Sequence, residues 1–340
     1  MKDRVLIWGA GAIGGTIGAA LARAGIAVQM VDIEADHAHA CSTSGLVIEG
    51  PVETYTQRVP CVTPDALQGQ YSQVILAVKA PATAAALAAL LPHLAADGYI
   101  LSAQNGLNEK YIASKAGAER VMGCFVNFGA DWLGPGRILY GNRGAMVIGE
   151  IDGSIRPRTR EMHALLQIFE PDAVLTENIW GYLWGKMCYG AMLFATALTG
   201  ESMAANFADP TRTPILAAIA GEVIRTAIAE GVTPEGFNGF DPLAFMPDAA
   251  PDSAAACMAG LAAFNARTAK THSGIHRDLA IRKRPTEVDH QPGMVARIAA
   301  SHNIETPLLT RLVALIHDLE EDRRVLSPAV FYALAEEAAG

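Results

Sequence analysis

The residues whose types and spacing could do chemistry fall in three places. The first is a glycine turn, Gly9-Ala10-Gly11-Ala12-Ile13-Gly14, which leaves the apolar run Val5-Leu6-Ile7-Trp8. Gly9 permits a sharp turn, Gly11 lets a ligand come close to the backbone, and Gly14 allows tight packing of helix on strand. The amides at Ala12 and Ile13, where a helix begins, then face a pyrophosphate. Asp32 follows the next apolar run, Ala27-Val28-Gln29-Met30-Val31, about 20 residues on, where a carboxylate accepts hydrogen bonds from a ribose diol. Strand, turn, helix and acid together point to a dinucleotide; the bland alternative is a glycine-rich turn with no ligand.

The second place is Lys186, flanked by Trp184, Gly185, Met187, Cys188 and Tyr189. An apolar setting disfavours the ammonium form, which suits a general acid for a carbonyl oxygen receiving hydride, or a base in reverse. A lysine snorkelling from a half-buried helix reads equally well. The third is Glu287 in Arg284-Pro285-Thr286-Glu287-Val288-Asp289. It reads either as an acid in the first turn of a helix capped by Thr286 or as an inward carboxylate that orients a substrate hydroxyl. Lys79 and Asn105 each follow an apolar run, Val74 to Val78 and Ile100 to Ala103. In a parallel sheet such strand ends face the ligand crevice, although Asn105-Gly106 also fits a plain turn.

The elements that position these residues alternate. Strands are expected over 4–9, 27–32, 74–79 and 99–104, and helices over 13–24 and 81–96, so the sheet is parallel and doubly wound. Short extended segments fall at 46–48 and 55–62, and strands at 121–128, 137–140 and 145–148 close the first domain. Beyond, helices are expected over 157–170, 177–199, 212–231, 252–270, 288–302 and 307–322. The fold class is α/β, with a Rossmann dinucleotide-binding domain over 1–170 and an all-helical substrate and catalytic domain over 171–340.

A chain of 340 residues, 51% hydrophobic and 18% charged, suits two globular domains. A net charge of -9 opposes a nucleic-acid surface. The five cysteines include no Cys-x-x-Cys pair, which fits a reducing cytoplasm and offers no metal site. His272 and His276 have the spacing of a metal pair but no evident third ligand, so no metal is expected. The apolar stretch Ile179 to Leu198 approaches membrane length but holds Lys186 and three glycines. A mid-bilayer charge would cost about 3 kcal/mol or more, so a buried helix and no membrane contact are expected. The N-terminus enters the first strand with no signal peptide, and the expected location is cytoplasmic.

The chain resembles the ketopantoate reductases (the 2-dehydropantoate 2-reductase family) over nearly its whole length. The resemblance rests on Gly9 to Gly15, Ala77-Val78-Lys79-Ala80, Gln104-Asn105-Gly106, Gly134-Pro135-Gly136, Trp184-Gly185-Lys186, Arg284 to Asp289 and Asn303-Ile304-Glu305-Thr306-Pro307. It implies a Rossmann domain followed by a helical domain like the C-terminal one of 6-phosphogluconate dehydrogenase, and hydride transfer between a nicotinamide and a 2-oxo acid. It implies that Lys186 is the catalytic lysine, that Glu287 is the catalytic or substrate-orienting glutamate, and that Lys79 and Asn105 line the cofactor and substrate cleft.

The departures from the family pattern bear on specificity. Gly190 and Phe194 stand where the family carries substrate-binding asparagines, and Gly274, beside Ser273, stands at the later serine. Losing a hydroxyl-bonding shell loses discrimination for that hydroxyl, so a larger or less polar substrate than ketopantoate is expected, with His272, Ser273 and His276 as replacement contacts. Asp32 and Glu34 occupy the place of the basic residue that pairs with a 2′-phosphate in NADPH users, so NAD(H) is favoured over NADP(H). Three other functions are open: a true 2-dehydropantoate 2-reductase of pantothenate synthesis, an opine- or imine-type dehydrogenase, and a non-catalytic NAD-binding sensor. The expected partners are a small-molecule substrate and a second copy in a homodimer.

Overall fold

The computed structural model describes residues 4–268 and 271–336. Ala269 and Lys270, at the end of the helix expected over 252–270, lie outside the described residues. The chain divides into two compact units, Met1–Ile179 and Trp180–Gly340. The division lies beyond the expected border at 170/171, because Val174–Leu175 forms a short strand in the first unit's sheet. Two paired residues leave too little pattern to read in sequence.

In chain order the first unit contains β1 (Val5–Trp8), α1 (Ala12–Arg23), β2 (Val28–Val31), α2 (Ala35–Ser42), β3 (Leu46–Glu49), β4 (Tyr55–Gln57), β5 (Cys61–Val62), β6 (Tyr71–Leu76), α3 (Thr83–Leu90), β7 (Leu94–Ser102), α4 (Glu109–Ala116), β8 (Val121–Val126), β9 (Gly129–Gly134), β10 (Arg137–Asn142), β11 (Met146–Glu150), α5 (Pro157–Leu166) and β12 (Val174–Leu175). The main sheet has the order β12-β11-β8-β7-β6-β1-β2-β5. All its neighbours are parallel except β8 with β11. From β1 the chain builds outward to β2 and β5 on one side, then returns to lay down β6, β7 and β8 on the other. That reversal makes a switch point at β1 and β6, where open parallel sheets bind ligands.

Along β1 side chains alternate: Val5 and Ile7 enter one core, Leu6 and Trp8 the other. A strand covered on both faces reads as an unbroken apolar run. The first core is completed by Ile17 and Leu21 of α1 and by Leu46, Ile48 and Ile138 of a second sheet of order β4-β3-β10-β9. The extended segments expected at 46–48 and 55–62 therefore separate: β3 and β4 pair in the small sheet, while β5 joins the main sheet beside β2. The helix expected over 81–96 ends at Leu90, and β7 begins at Leu94. Pro92, which lacks an N–H, stands between them.

The second unit is helical: α6 (Ile179–Ala197), α7 (Met203–Ala208), α8 (Thr213–Ala229), α9 (Ser253–Ala266), α10 (Gly274–His276), α11 (Pro292–Ser301), α12 (Pro307–Glu320) and α13 (Pro328–Glu336), with a π-helical turn over Arg277–Arg282. The helix expected over 288–302 is interrupted. Val288–His290 is a 3-10 turn and α11 starts only at Pro292, a first-turn position that proline favours. The Asn303-to-Pro307 stretch delivers the start of α12 to Glu222 of α8, whose oxygens accept from Leu308 N at 3.0 Å and Leu309 N at 2.8 Å. A carboxylate there satisfies two orphan amides and suits the helix dipole. No helix of the described residues is long and apolar enough to cross a membrane.

Candidate active site

Four adjacent strands of the main sheet, β7-β6-β1-β2, carry at their carboxyl ends Asn105, Lys79, the glycine turn and Asp32 respectively. The turn is built around the absence of side chains. Gly9 has φ +97°, and a Cβ there would meet the Val78 backbone nitrogen at 2.9 Å. A Cβ at Gly14 would stand 2.0 Å from the Gly9 carbonyl oxygen, so α1 could not start where it does with alanine there. At Gly11, the N-cap of α1, a Cβ would meet nothing within 4 Å. The open side lies where the amides at Ala12 and Ile13 begin the helix, the arrangement a phosphate requires.

Asp32 does more than end a strand. Its Oδ2 accepts from Ala10 N at 2.9 Å and its Oδ1 from Glu34 N at 3.0 Å. Each carboxylate oxygen has two acceptor positions, so one on each remains for a ribose diol. The residues present therefore fit a dinucleotide. Ile33, directly after Asp32, is 76% exposed and was not singled out in sequence. Its signal was a large aliphatic residue directly after the acid.

Lys79 and Asn105 are both exposed at their strand ends. Gln104 ties the two ends together: its Nε2 donates to Val78 O and to Thr83 Oγ1, each at 2.8 Å. Asn108 Nδ2 donates to Asn105 O at 2.7 Å, and Gly106 turns at φ +98°.

In the second unit Lys186 sits mid-way along α6, half-buried between Gly185 and Met187, which are buried. Gly181 and Gly185, one turn apart, give α6 a bare strip on which the backbone of Glu235 rests. Glu235 N donates to Gly181 O at 2.9 Å, and a Cβ on Gly185 would stand 2.1 Å from Glu235 O. The glycine before Lys186 is thus a packing requirement. One turn beyond Lys186, Gly190 leaves space bounded by the side-chain oxygen of Gln291, 3.3 Å from where a Cβ would stand. Gln291 ends the turn that follows Glu287, so the two segments singled out in sequence pack together at this point. Gln291 had no local signal; only the fold brings its amide to α6.

Glu287 precedes the 3-10 turn, and its side chain does not cap it. Thr286 Oγ1 accepts from Val288 N at 3.2 Å instead. The capping bond expected of Thr286 is therefore present, while Glu287 stands at the N-cap position and Asp289 is the acid of the first turn. Its loop is stapled to α12: Thr286 N and Oγ1 both donate to Glu320 Oε1 at 2.7 Å, and His317 bridges Glu320 Oε2 at 2.9 Å and Asp289 Oδ1 at 3.1 Å. Arg284 Nε donates to Asp278 Oδ1 at 2.9 Å.

Phe194 is completely buried. The apolar surface expected from it toward a substrate is instead part of the helical core. Ser273 is buried and spends an acceptor position on the cap of α10, taking His276 N at 3.2 Å. The rings of His272 and His276 lie against each other, centroids 4.3 Å apart. Burial, and His272 beside it, push the His276 pKa below 6.5. Among the described residues no three His, Cys, Asp or Glu side chains converge as metal ligands.

Comparison with known proteins agrees with this layout. Residues 5–153 match the family model for ketopantoate reductase PanE/ApbA, and residues 178–320 match that for its C-terminal domain. A 2-dehydropantoate 2-reductase of Streptococcus pyogenes serotype M3 is 25% identical over 319 residues, covering 93% of this chain and 97% of that protein. A crystal structure of a PanE/ApbA family ketopantoate reductase from Ralstonia eutropha JMP134 superposes with a TM-score of 0.78 at 25% identity, over 94% of this chain and 99% of that one. The ternary structure of D-mandelate dehydrogenase with NADH and anilino(oxo)acetate superposes with a TM-score of 0.82 at 22% identity, over 95% of this chain and all of the other, which shows the shared fold. With both halves matched in order and the glycine turn built as a dinucleotide site requires, the chain belongs to the ketopantoate reductase family and is a nicotinamide-dependent oxidoreductase acting on CH–OH groups.

Proposed function

We propose that the protein interconverts a 2-oxo acid bearing a bulky, weakly polar substituent and its 2-hydroxy acid, with NAD(H) preferred over NADP(H). The nicotinamide supplies or takes up the hydride. In the reducing direction Lys186 gives a proton to the carbonyl oxygen and stabilises the developing alkoxide. Glu287 and Asn105 orient the substrate, and Lys79 lies along the cofactor edge. His272, Ser273 and His276 supply further substrate contacts. The observation that carries the substrate reading is Gly190, on the same face of α6 as Lys186 and one turn on. Only the end of the Gln291 side chain lies within 4 Å of its absent Cβ. Residue 190 itself offers no amide or hydroxyl to grip a polar substituent, and what faces the position is the movable end of Gln291. The mandelate dehydrogenase that shares the fold was captured with an aryl-bearing oxo acid analogue and NADH, a ligand of the proposed kind.

The preference for NAD(H) follows from Asp32 and Glu34, whose negative charge repels a 2′-phosphate. The proposed assembly is a homodimer through the alanine-rich helices of the second unit, which sedimentation equilibrium decides.

The test is initial rates with NADH and NADPH side by side, on ketopantoate and on 2-oxo acids with branched or aryl substituents. Faster turnover of the bulky acids with NADH is expected. Fast turnover of ketopantoate with NADPH would instead make the protein a 2-dehydropantoate 2-reductase. Turnover only when an amine is added would make it an opine-type dehydrogenase, and binding without turnover a sensor. Lys186→Ala should lower kcat far more than NADH affinity; equal loss of both would remove Lys186 from the chemistry.

A further inference from the structure

His37 is a buried polar group that neither the proposed chemistry nor the apolar core accounts for. It lies five residues after Asp32, in the first turn of α2, and is wholly buried. Three elements meet on its ring. Nε2 is 2.8 Å from the carbonyl oxygen of Ala10, inside the glycine turn, with Cys41 Sγ 3.6 Å from the same nitrogen. Nδ1 receives the backbone N–H of Gly136 at 2.9 Å and the indole N–H of Trp132 at 3.3 Å. Two donors at Nδ1 mean that it carries the lone pair, so the hydrogen is on Nε2 and is donated to Ala10 O.

Ala10 is therefore gripped on both sides: its N–H by Asp32 and its carbonyl by His37. In a planar trans peptide the carbonyl and the following N–H point in opposite directions. Directing the Ala10 carbonyl at His37 turns the Gly11 N–H away from it, and Gly11 is the N-cap of α1. The ring is held in turn by the β9–β10 connection, Gly134-Pro135-Gly136. Gly136 has φ +71° there, and its own carbonyl accepts from Val47 N at 2.9 Å. This gives a ligand-linked purpose to a motif that the reaction chemistry leaves unexplained. The small sheet holds an imidazole, and the imidazole sets the peptide that must face an anion.

We propose that His37 is a positioning residue for the pyrophosphate of the dinucleotide, acting through the Ala10–Gly11 peptide. The proposal rests on the dinucleotide reading of the glycine turn. Its test uses the whole protein and two amide variants of similar size. Asn at 37 reaches as far as Nδ1 and can still accept from Gly136, but falls short of Ala10. Gln at 37 reaches as far as Nε2 and can donate to Ala10. Calorimetric titration with ADP-ribose, which has the pyrophosphate, and with adenosine, which lacks it, separates the effects. One neutral hydrogen bond is worth about 0.5–1.5 kcal/mol net, so H37N should weaken ADP-ribose binding about three- to tenfold while adenosine binding stays within twofold. H37Q should restore ADP-ribose binding to within about twofold of wild type, and H37N should raise the KM for NADH with kcat little changed. Unaltered ADP-ribose binding by H37N would overturn the proposal. So would equal losses for ADP-ribose and adenosine, which would mark His37 as ordinary core. Failure of the wild-type protein to bind ADP-ribose would be a different result, removing the dinucleotide reading itself and this role with it.

Discussion

Replacing Gly185 with alanine tests whether the residue before Lys186 is there for packing. A Cβ at 185 would stand 2.1 Å from Glu235 O, and ordinary contact begins near 3.4 Å, so the Glu235 peptide must retreat by about 1.3 Å. The atom in the way is backbone, so no side-chain rotation relieves it. The same movement stretches the 2.9 Å bond from Glu235 N to Gly181 O beyond hydrogen-bond length. Overpacking costs about 1–3 kcal/mol and the lost bond about 1 kcal/mol, so destabilisation of about 2–4 kcal/mol is expected. For a unit of this size that lowers Tm by roughly 5–12 °C. If α6 yields instead of the loop, the displacement falls on Lys186, and a misplacement of about 1 Å reduces turnover up to about a hundredfold. Calorimetry and kcat measured on Gly185→Ala therefore divide the strain between loop and helix. A variant that melts within 1 °C of wild type with unchanged kcat would refute the reasoning.

Asp32→Asn retains one acceptor oxygen but turns an NH2 toward either Ala10 N–H or Glu34 N–H, and removes the charge that favours a ribose diol. NADH affinity should fall about tenfold or more, NADPH affinity should fall less, and fluorescence titration of both reads the ratio. At Gly190→Ala the new methyl meets only the flexible end of Gln291. Stability should stay within about 0.5 kcal/mol, while KM rises for the bulkiest 2-oxo acids and not for small ones. For His317, burial opposes the charge, but the bonds to Glu320 and Asp289 outweigh it and raise the pKa above 6.5. The stabilising contribution is then complete below about pH 6.5 and disappears as pH rises through the raised value. The Tm difference between wild type and His317→Gln should follow that course, and a difference that grew with pH would contradict it.

The parts of the site legible in sequence are those whose physics is local. Gly9, Gly11 and Gly14 announce a turn because their spacing alone meets its steric demands, and Asp32 follows at the length of one helix and one strand. Lys186 and Glu287 were visible as charges in apolar or helix-start settings. What stayed hidden depends on contacts distant along the chain. Gln291 meets Gly190 across about a hundred residues, and His37 is joined to Trp132 and Gly136 across 95 and 99. Phe194 looked like a substrate contact because it stands where the family pattern carries a substrate-binding asparagine, and a position in a pattern does not say that its side chain is wholly buried in this chain. The alanine-rich run over 81–96 concealed its break at Pro92, and the 3-10 turn after Glu287 looked continuous with α11. The small sheet was missed because β3 and β10 pair in parallel from segments nearly ninety residues apart.

The order of the main sheet has a consequence for how the cofactor site comes into being. β1 is flanked by β2 and β6, and β6 starts more than sixty residues after β1. Until β6 docks, the Leu6 and Trp8 face of β1 lacks Val74 and Leu76 beside it, and the backbone groups of that edge lack partners. The pairing is parallel and distant along the chain, a combination that forms slowly and exposes sticky surface meanwhile. During that interval Gly9 has no Val78 to pack against and Ala77 N has no Trp8 O to bond. The phosphate cradle is therefore complete only once β6 has paired with β1. A dinucleotide added to a refolding mixture would act on the end of the process, trapping finished sheets rather than nucleating new ones.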